Sequence, residues 1–394
     1  MATESLTTIE ALVTPKIITW ARERAELDIE ETAKKLGVVV ARLAAWENGD
    51  SHPSVKQAES LANKLNIPFG YLYLTEPPVE ELPLADFRTV SGARRLKPSP
   101  AFLDVIYDAL RKQDWYHEYL ALQEYYPLEF VGKFSPDAGT GEIAEDIRET
   151  LGINNDLRDR VNGWEQFLTE LVRAAESKGV LVLRSGVVGS NTHRSLSVSE
   201  FRGFTLSDSL APLIFLNAKD ARAAQIFTLV HEMAHLWTGQ SGVSNPDYWN
   251  RSSAQRHEFE RKADAVAAEA LVPRVEFQMN WNPSVSLDRN LARMARKFKV
   301  SSFVILRSAL DLQRINSDTY EAKLRDFWQT HAPGRSRSGN PYANITARNS
   351  LTFTVAVIAA AAEGQVSYRE AASLLNVSKL STLYTLEARL LQEN

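Results

Sequence analysis

The chain has 394 residues, enough for two or three domains, and its hydrophobic (44%) and charged (24%) fractions are ordinary for a globular protein. The formal net charge is only −4, and the absence of cysteine excludes disulfides and thiolate metal sites. Residues 1–6 lack the basic and apolar segments of a signal peptide, and the apolar run 351–362 is too short to span a bilayer. These features predict a soluble cytoplasmic protein without a membrane partner.

Residues 14–65 predict four short helices in succession. The second begins after Asp28, with Glu31 at the capping-box position. This order resembles the lambda-repressor-like (XRE-type) helix-turn-helix domain, and the positions that carry the resemblance are Ala33, Gly37, Leu43, Trp46, Glu47, Gly49 and Pro53. The resemblance implies an all-helical domain over residues 1–76.

The recognition helix of this domain has few side chains that could read DNA. Among residues 38–45 only Arg42 can contact a base edge or a phosphate. Residues 1–75 carry eight Lys and Arg against ten Asp and Glu, whereas a DNA-binding module is usually basic. DNA binding therefore stays open beside docking of a protein partner or pairing with a second copy of the chain. If the domain binds DNA, Lys34, Lys35 and Arg42 are the predicted contacts.

The middle of the chain predicts a linker, then helices, then a small sheet. Residues 77–100 are rich in proline and read as the linker. Helices are predicted over 101–126, 142–151 and 164–178, and strands over 180–184, 204–206 and 213–216. After residue 273 the chain is predicted to be helical. Residues 367–391 indicate either a second helix-turn-helix-like element or a plain helical hairpin.

The apolar run 225–237 contains an H-E-x-x-H motif. His231 and His235 are four residues apart, so both imidazoles project from one helix face and can bind one metal ion. Glu232 lies beside that face, where it could take a proton from a metal-bound water. Two unpaired imidazoles would be costly in a buried helix, which favours a metal site over a chance pair of surface histidines.

A catalytic zinc takes three protein ligands and keeps one open position, so a third ligand is expected on a later helix. Residues 258–271 have helical spacing, and Pro273 ends the run. Glu260 and Asp264 share one face of this helix. Glu260 is the predicted third ligand, and Asp264 the carboxylate that accepts the outer N–H of a ligand histidine. The alternative is an ordinary charged helix surface.

These segments resemble the ImmA/IrrE metallopeptidases. The resemblance runs through residues 200–204, 211–217, 227–236 and 260–273. Family members are thermolysin-like zincins, many of which cleave repressors of the lambda-repressor type. The resemblance implies a zincin-like domain over residues 101–312, followed by a helical C-terminal region over residues 313–394. The expected fold class is mainly α with a small β-sheet (α+β).

The predicted function is a regulatory zinc metalloendopeptidase, with Mn²⁺ as the alternative ion, that cleaves an XRE-type repressor in a stress, prophage or mobile-element response. Glu232 would be the general base, a role that a structural zinc does not need. An extended substrate would pair with the edge of the small sheet. Tyr248, Arg256 and His257 are candidates for oxyanion stabilisation, or else ordinary surface and packing residues. The alternative function is a DNA-binding transcriptional regulator or antitoxin-like sensor that keeps the fold without proteolysis.

Overall fold

The computed structural model describes residues 9–80, 82–86, 98–244, 258–330 and 341–393. The chain divides into two compact units, Met1–Pro83 and Leu84–Asn394. Tyr248, Arg256 and His257 lie outside the described residues. Within the described part, none of the helices combines the length and the apolarity that a membrane span requires.

The first unit is all-helical. Its elements, in chain order, are α1 (Pro15–Arg24), α2 (Ile29–Leu36), α3 (Val40–Asn48), α4 (Val55–Leu65) and a 3₁₀-helix (Phe69–Tyr73). Asp28 caps α2 by accepting from the backbone N–H of Glu31, whose side chain accepts from the backbone N–H of Asp28 in return. Gly37 ends α2 in the left-handed region, with φ of 70°. A separate core of buried apolar side chains, Trp46 among them, holds the four helices together.

The second unit has helices around a small sheet. Its helices are α5 (Pro100–Leu122), α6 (Thr140–Leu151), α7 (Asn155–Arg160), α8 (Trp164–Ser177), α9 (Arg222–Trp237), α10 (Glu258–Leu271), α11 (Arg274–Asn280), α12 (Leu287–Phe298), α13 (Ser302–Asp311), α14 (Ser317–Thr330), α15 (Pro341–Asn349), α16 (Leu351–Ala362), α17 (Tyr368–Leu374) and α18 (Leu380–Glu393). The strands are β1 (Ala85–Asp86), β2 (Leu181–Ser185), β3 (Val187–Val188), β4 (Asn191–Ser195), β5 (Gly203–Leu206), β6 (Leu213–Asn217) and β7 (Gly242–Ser244). The predicted class, mainly α with a small sheet, is confirmed.

Five strands form one sheet in the order β1-β7-β5-β6-β2. β5 pairs antiparallel with β6 on one side and with β7 on the other. The pairs β1–β7 and β2–β6 are parallel, and β3 and β4 form a separate antiparallel pair. Helix α9 packs against β5 and β6 and also contacts α6, α8 and α10. Because it is enclosed in this way, residues 225–237 are buried on every face.

Candidate metal centre

Two helices supply the predicted side chains of the candidate site. His231, Glu232 and His235 lie on α9, and Glu260 and Asp264 lie on α10, which packs directly against it. All five side chains are buried, and Asp264, at 5% exposure, is the most accessible of them. β5 also packs against α9 and brings the Thr205 hydroxyl group to the carboxylate of Glu232. The site is thus enclosed within the core of the second unit.

Three side-chain donors converge at the centre of this site. His235 Nε2 is 3.2 Å from His231 Nε2 and 3.0 Å from Glu260 Oε1, and His231 Nε2 is 3.5 Å from Glu260 Oε2. Zinc binds nitrogen and oxygen ligands at about 2.0 to 2.2 Å, which places the corners of its tetrahedron about 3.3 to 3.6 Å apart. The separations in the structure, 3.0 to 3.5 Å, lie within about 0.3 Å of that range, and the three residues form a group that could hold a metal ion.

The outer nitrogens of both imidazoles lie close to side-chain oxygens. His231 Nδ1 is 2.9 Å from Asp264 Oδ1, and His235 Nδ1 is 3.3 Å from Gln240 Oε1. Such partners select the tautomer and aim the Nε2 atoms at the metal position. Asp264 lies where the sequence predicts a histidine partner, one helical turn after Glu260. Gln240 was not predicted; its backbone N–H donates to His235 O at 2.8 Å as the chain turns back after α9.

The electrostatics of the cluster favour an ionised Glu260. Burial by itself raises the pKa of Glu260, but His231 and His235 outweigh burial and hold that pKa well below its ordinary value. Burial by itself lowers the pKa of His231, whereas the charge of Glu260 and hydrogen bonds with Asp264 and Glu260 raise it to about 10. Glu260 is therefore held as a carboxylate, the form in which it can bind a cation.

Glu232 has a different environment on the same helix. Its Oε2 accepts a hydrogen bond of 2.7 Å from the Thr205 hydroxyl. Its Oε1 is buried and has no hydrogen-bond partner within the described part of the chain. Burial raises the pKa of Glu232, although the neighbouring His231 and His235 oppose the shift. A raised pKa and an oxygen without a donor make this carboxyl group a better proton acceptor than an ordinary glutamate.

Gly203 permits the close approach of β5 to α9. A Cβ atom at this position would lie 2.7 Å from Thr228 Cγ2, 2.8 Å from Glu232 Oε1 and 3.0 Å from Phe215 O. Because a backbone oxygen is among these atoms, no side-chain rotation could relieve all of the contacts. Gly203 and Thr205 were not predicted as site residues. The signal for them is their place on β5, the first strand of the antiparallel pair β5–β6 that precedes α9 in the chain.

The predicted DNA-contacting residues lie in the first unit. Lys34 and Lys35 are exposed in the last turn of α2, and Arg42 is exposed in the first turn of α3. Beside Arg42, Val39 and Val40 are 68% and 41% exposed. The start of α3 therefore presents one guanidinium group and an apolar surface.

A buried His-His-Glu cluster next to a buried glutamate, on a helix packed against a small sheet, defines a metallopeptidase-type domain. Residues 175–309 match the family model for the IrrE N-terminal-like domain (Peptidase M78), and residues 18–72 match the helix-turn-helix model. The chain is thus a fusion of an XRE-type helix-turn-helix domain with an ImmA/IrrE-like domain. Residues 349–389 match a domain of unknown function, DUF8813. The comparison with curated proteins found no match.

Proposed function

We propose that this protein is a cytoplasmic regulatory zinc metalloendopeptidase that cleaves a repressor-type protein. The observation that carries the proposal is the buried Oε1 of Glu232, which has no donor within the described residues and lies beside a cluster suited to a metal. A purely structural zinc has four protein ligands and needs no such carboxylate. Glu232 therefore supports a catalytic role for the centre.

The proposed ligands are His231, His235 and Glu260. Two imidazole nitrogens and one carboxylate oxygen are the donor set of several catalytic zinc sites, and nitrogen donors favour zinc over Mn²⁺ in the usual order of affinities. When bound, the ion polarises the scissile carbonyl and lowers the pKa of a water molecule. Asp264 and Gln240 keep the two imidazoles in the orientation that binding needs.

Glu232 is the proposed proton carrier. Thr205 donates to Oε2 and so fixes the orientation of the carboxylate, which leaves Oε1 to accept the proton of the attacking water. Its raised pKa then favours the protonated form, which passes the proton to the leaving amine. The same carboxyl group thus serves both proton transfers, the uptake from water and the delivery to the amine.

The helix-turn-helix domain is the proposed source of substrate selectivity. A domain of the repressor fold could pair with a repressor of the same fold, or share a DNA site with it. Either contact would raise the local concentration of the substrate near the peptidase domain. The substrate is therefore proposed to be an XRE-type repressor.

Co-expression with the proteins of neighbouring genes tests this function. We expect the wild-type chain to cut one lambda-repressor-like protein, whereas Glu232→Gln should bind it without cutting. The matched measurement is zinc content, which should be equal in the two proteins because Glu232 is not a ligand. A Gln variant that cuts at the wild-type rate would contradict the proposed chemistry. A zinc-loaded wild type that cuts none of these proteins would favour the binding-only regulator instead.

A further inference from the structure

Ser244, the last residue of β7, places its hydroxyl group inside the candidate metal centre. Its side chain is fully buried. Ser244 Oγ is 3.3 Å from Glu260 Oε1, 3.4 Å from His235 Nε2 and 3.5 Å from Glu232 Oε2. One small hydroxyl group therefore faces two proposed ligands and the proposed base at nearly equal distances.

Ordinary hydrogen bonding explains these distances poorly. A hydroxyl group that donates to a carboxylate normally lies about 2.5 to 2.7 Å from the oxygen. Thr205 meets this value on the same Glu232 carboxylate, at 2.7 Å, whereas the three contacts of Ser244 are all longer. The separations of Oγ from His235 and Glu260 instead fall in the range that the three proposed ligands keep among themselves. Neighbouring ligands around one zinc ion keep about this spacing.

The backbone holds Ser244 at this position through the sheet. β7 pairs antiparallel with β5, and Ser244 lies opposite Gly203, the residue whose missing Cβ lets β5 approach Glu232. Its carbonyl oxygen accepts from the backbone N–H of Arg202 at 3.4 Å. The register of two strands, rather than a side-chain rotamer alone, thus directs the hydroxyl group into the centre.

The same strand also covers one side of β5. The sequence predicts that an extended substrate adds along the edge of the small sheet. In the structure β5, the strand beside Glu232, pairs with β6 on one side and β7 on the other, and β7 pairs in turn with β1. The edge of β5 is therefore covered by the chain itself.

We infer that Ser244 Oγ is a fourth protein donor to the metal in the resting protein, held there by β7. The inference rests on the proposed function in that His231, His235 and Glu260 are taken as the other ligands. A neutral hydroxyl group is a weaker zinc donor than the imidazoles and the carboxylate, so water or a substrate carbonyl can displace it. Glu232 Oε2 is 3.5 Å from Oγ, so the carboxyl group of the proposed base lies beside the position that the hydroxyl group would leave.

Because the chain has no cysteine, a single cysteine introduced at position 244 can be detected by spectroscopy without background from other thiols. Ser244→Cys introduces the sole thiol of the chain, and a thiolate is a strong ligand for zinc-site metals. We expect the Ser244→Cys protein loaded with cobalt(II) to show a sulfur-to-cobalt charge-transfer band in the near ultraviolet. The matched control is Ser241→Cys, three residues earlier, because Ser241 Oγ accepts from the backbone N–H of Ser207 at 2.7 Å. The control should bind cobalt without the band.

A second variant covers the case in which the cysteine protein folds poorly. Ser244→Ala removes only the hydroxyl group, and azide should then perturb the cobalt(II) spectrum at lower concentration than in the wild type. A cobalt-loaded Ser244→Cys protein without the band would overturn the inference, as would a band of equal strength in Ser241→Cys, or equal azide binding by the wild type and Ser244→Ala. A wild-type chain that binds no cobalt would instead refute the metal centre of the proposed function.

Discussion

At the scale of single residues, the pKa values of Glu232 and Glu260 are shifted in opposite directions. His231 and His235 lower the pKa of Glu260, whereas burial raises the pKa of Glu232. Environments that push two nearby carboxyl groups apart in pKa suit them to different tasks. The group that stays ionised is suited to hold a cation, and the group that accepts a proton is suited to act as the base.

The loss of zinc affinity should depend on whether the substituted residue is a proposed ligand or only the partner of a ligand. We expect His231→Ala and His235→Ala to lose bound zinc and Glu260→Ala to bind it weakly. Asp264→Ala should lower the affinity by about tenfold to a hundredfold, since it removes only the partner of a ligand. Elemental analysis and competition with a chromophoric chelator would measure these effects. Full zinc occupancy in the His231→Ala/His235→Ala double variant would contradict the assignment.

Loss of the Thr205 hydroxyl group should impair turnover without loss of the metal. Thr205→Val keeps the shape of the side chain but leaves the buried Oε2 of Glu232 without its 2.7 Å donor. A hydrogen bond to a charged group contributes about 1.5 to 3 kcal/mol, so kcat should fall by about ten- to a hundredfold. Thr205→Ser keeps the hydroxyl group and is expected to retain most of the activity. Equal kcat values for the Val and Ser variants, at equal zinc content, would argue against a positioning role for the hydroxyl group.

At the scale of elements, the packing of β5 on α9 depends on the lack of a side chain at one position. Gly203→Ala would force Cβ to within 3.0 Å or less of Thr228, Glu232 and the backbone of Phe215, so the strand must move away from the helix. We expect a loss of about 1 to 3 kcal/mol in the free energy of unfolding, as for other overpacked cores, together with weaker activity. Chemical denaturation monitored by circular dichroism would measure this loss.

Gly141→Ala is the matched control for that substitution. Gly141 lies in the first turn of α6, and a Cβ atom there would meet nothing within 4 Å. Alanine should therefore leave stability unchanged or raise it by up to about 1 kcal/mol. If Gly203→Ala were as harmless as Gly141→Ala, the close approach of β5 to α9 would not be required for folding.

The few basic side chains exposed on α2 and α3 predict that any contact of the first unit with DNA is weak and sensitive to salt. If the domain binds an operator, Arg42→Ala should remove most of the sequence preference, because its neighbours Val39 and Val40 cannot form hydrogen bonds with base edges. Changing Lys34 or Lys35 to Ala should reduce the slope of log K against log salt by about 0.9 for each lost phosphate contact. Titrations of labelled duplexes at several salt concentrations would measure both effects. Failure of the full chain to bind any duplex at low salt would favour protein docking.

At the scale of the whole molecule, each of the two compact units has a buried core of its own. The proposed division of labour assigns recognition to the first unit and chemistry to the second. We expect deletion of residues 1–76 to slow cleavage of the intact repressor more than cleavage of a short peptide that spans the cut site, because only the repressor depends on delivery. Steady-state kinetics with both substrates would test this. Equal slowing would show that the first domain does not deliver the substrate.

The periodicity of the chain by itself determined the helix that carries His231, Glu232 and His235, because residues four apart share a face of any α-helix. The spacing of Glu260 and Asp264 on a second helix follows from the same local rule. The capping residues of α2 could likewise be read directly from the sequence, since Asp28 and Glu31 interact within one helical turn. In each case the interacting residues are close neighbours in the chain.

Only the tertiary structure decided the surroundings of these residues. Thr205 reaches Glu232 across 27 positions of the sequence, and Ser244 reaches Glu260 across 16. Strands β1 and β7 have two and three residues, too few for an alternating pattern to be recognised. Their placement depends on strand register and on the packing of a whole sheet against α9. Such contacts arise from the balance of many non-local interactions, and no short segment of the chain encodes them.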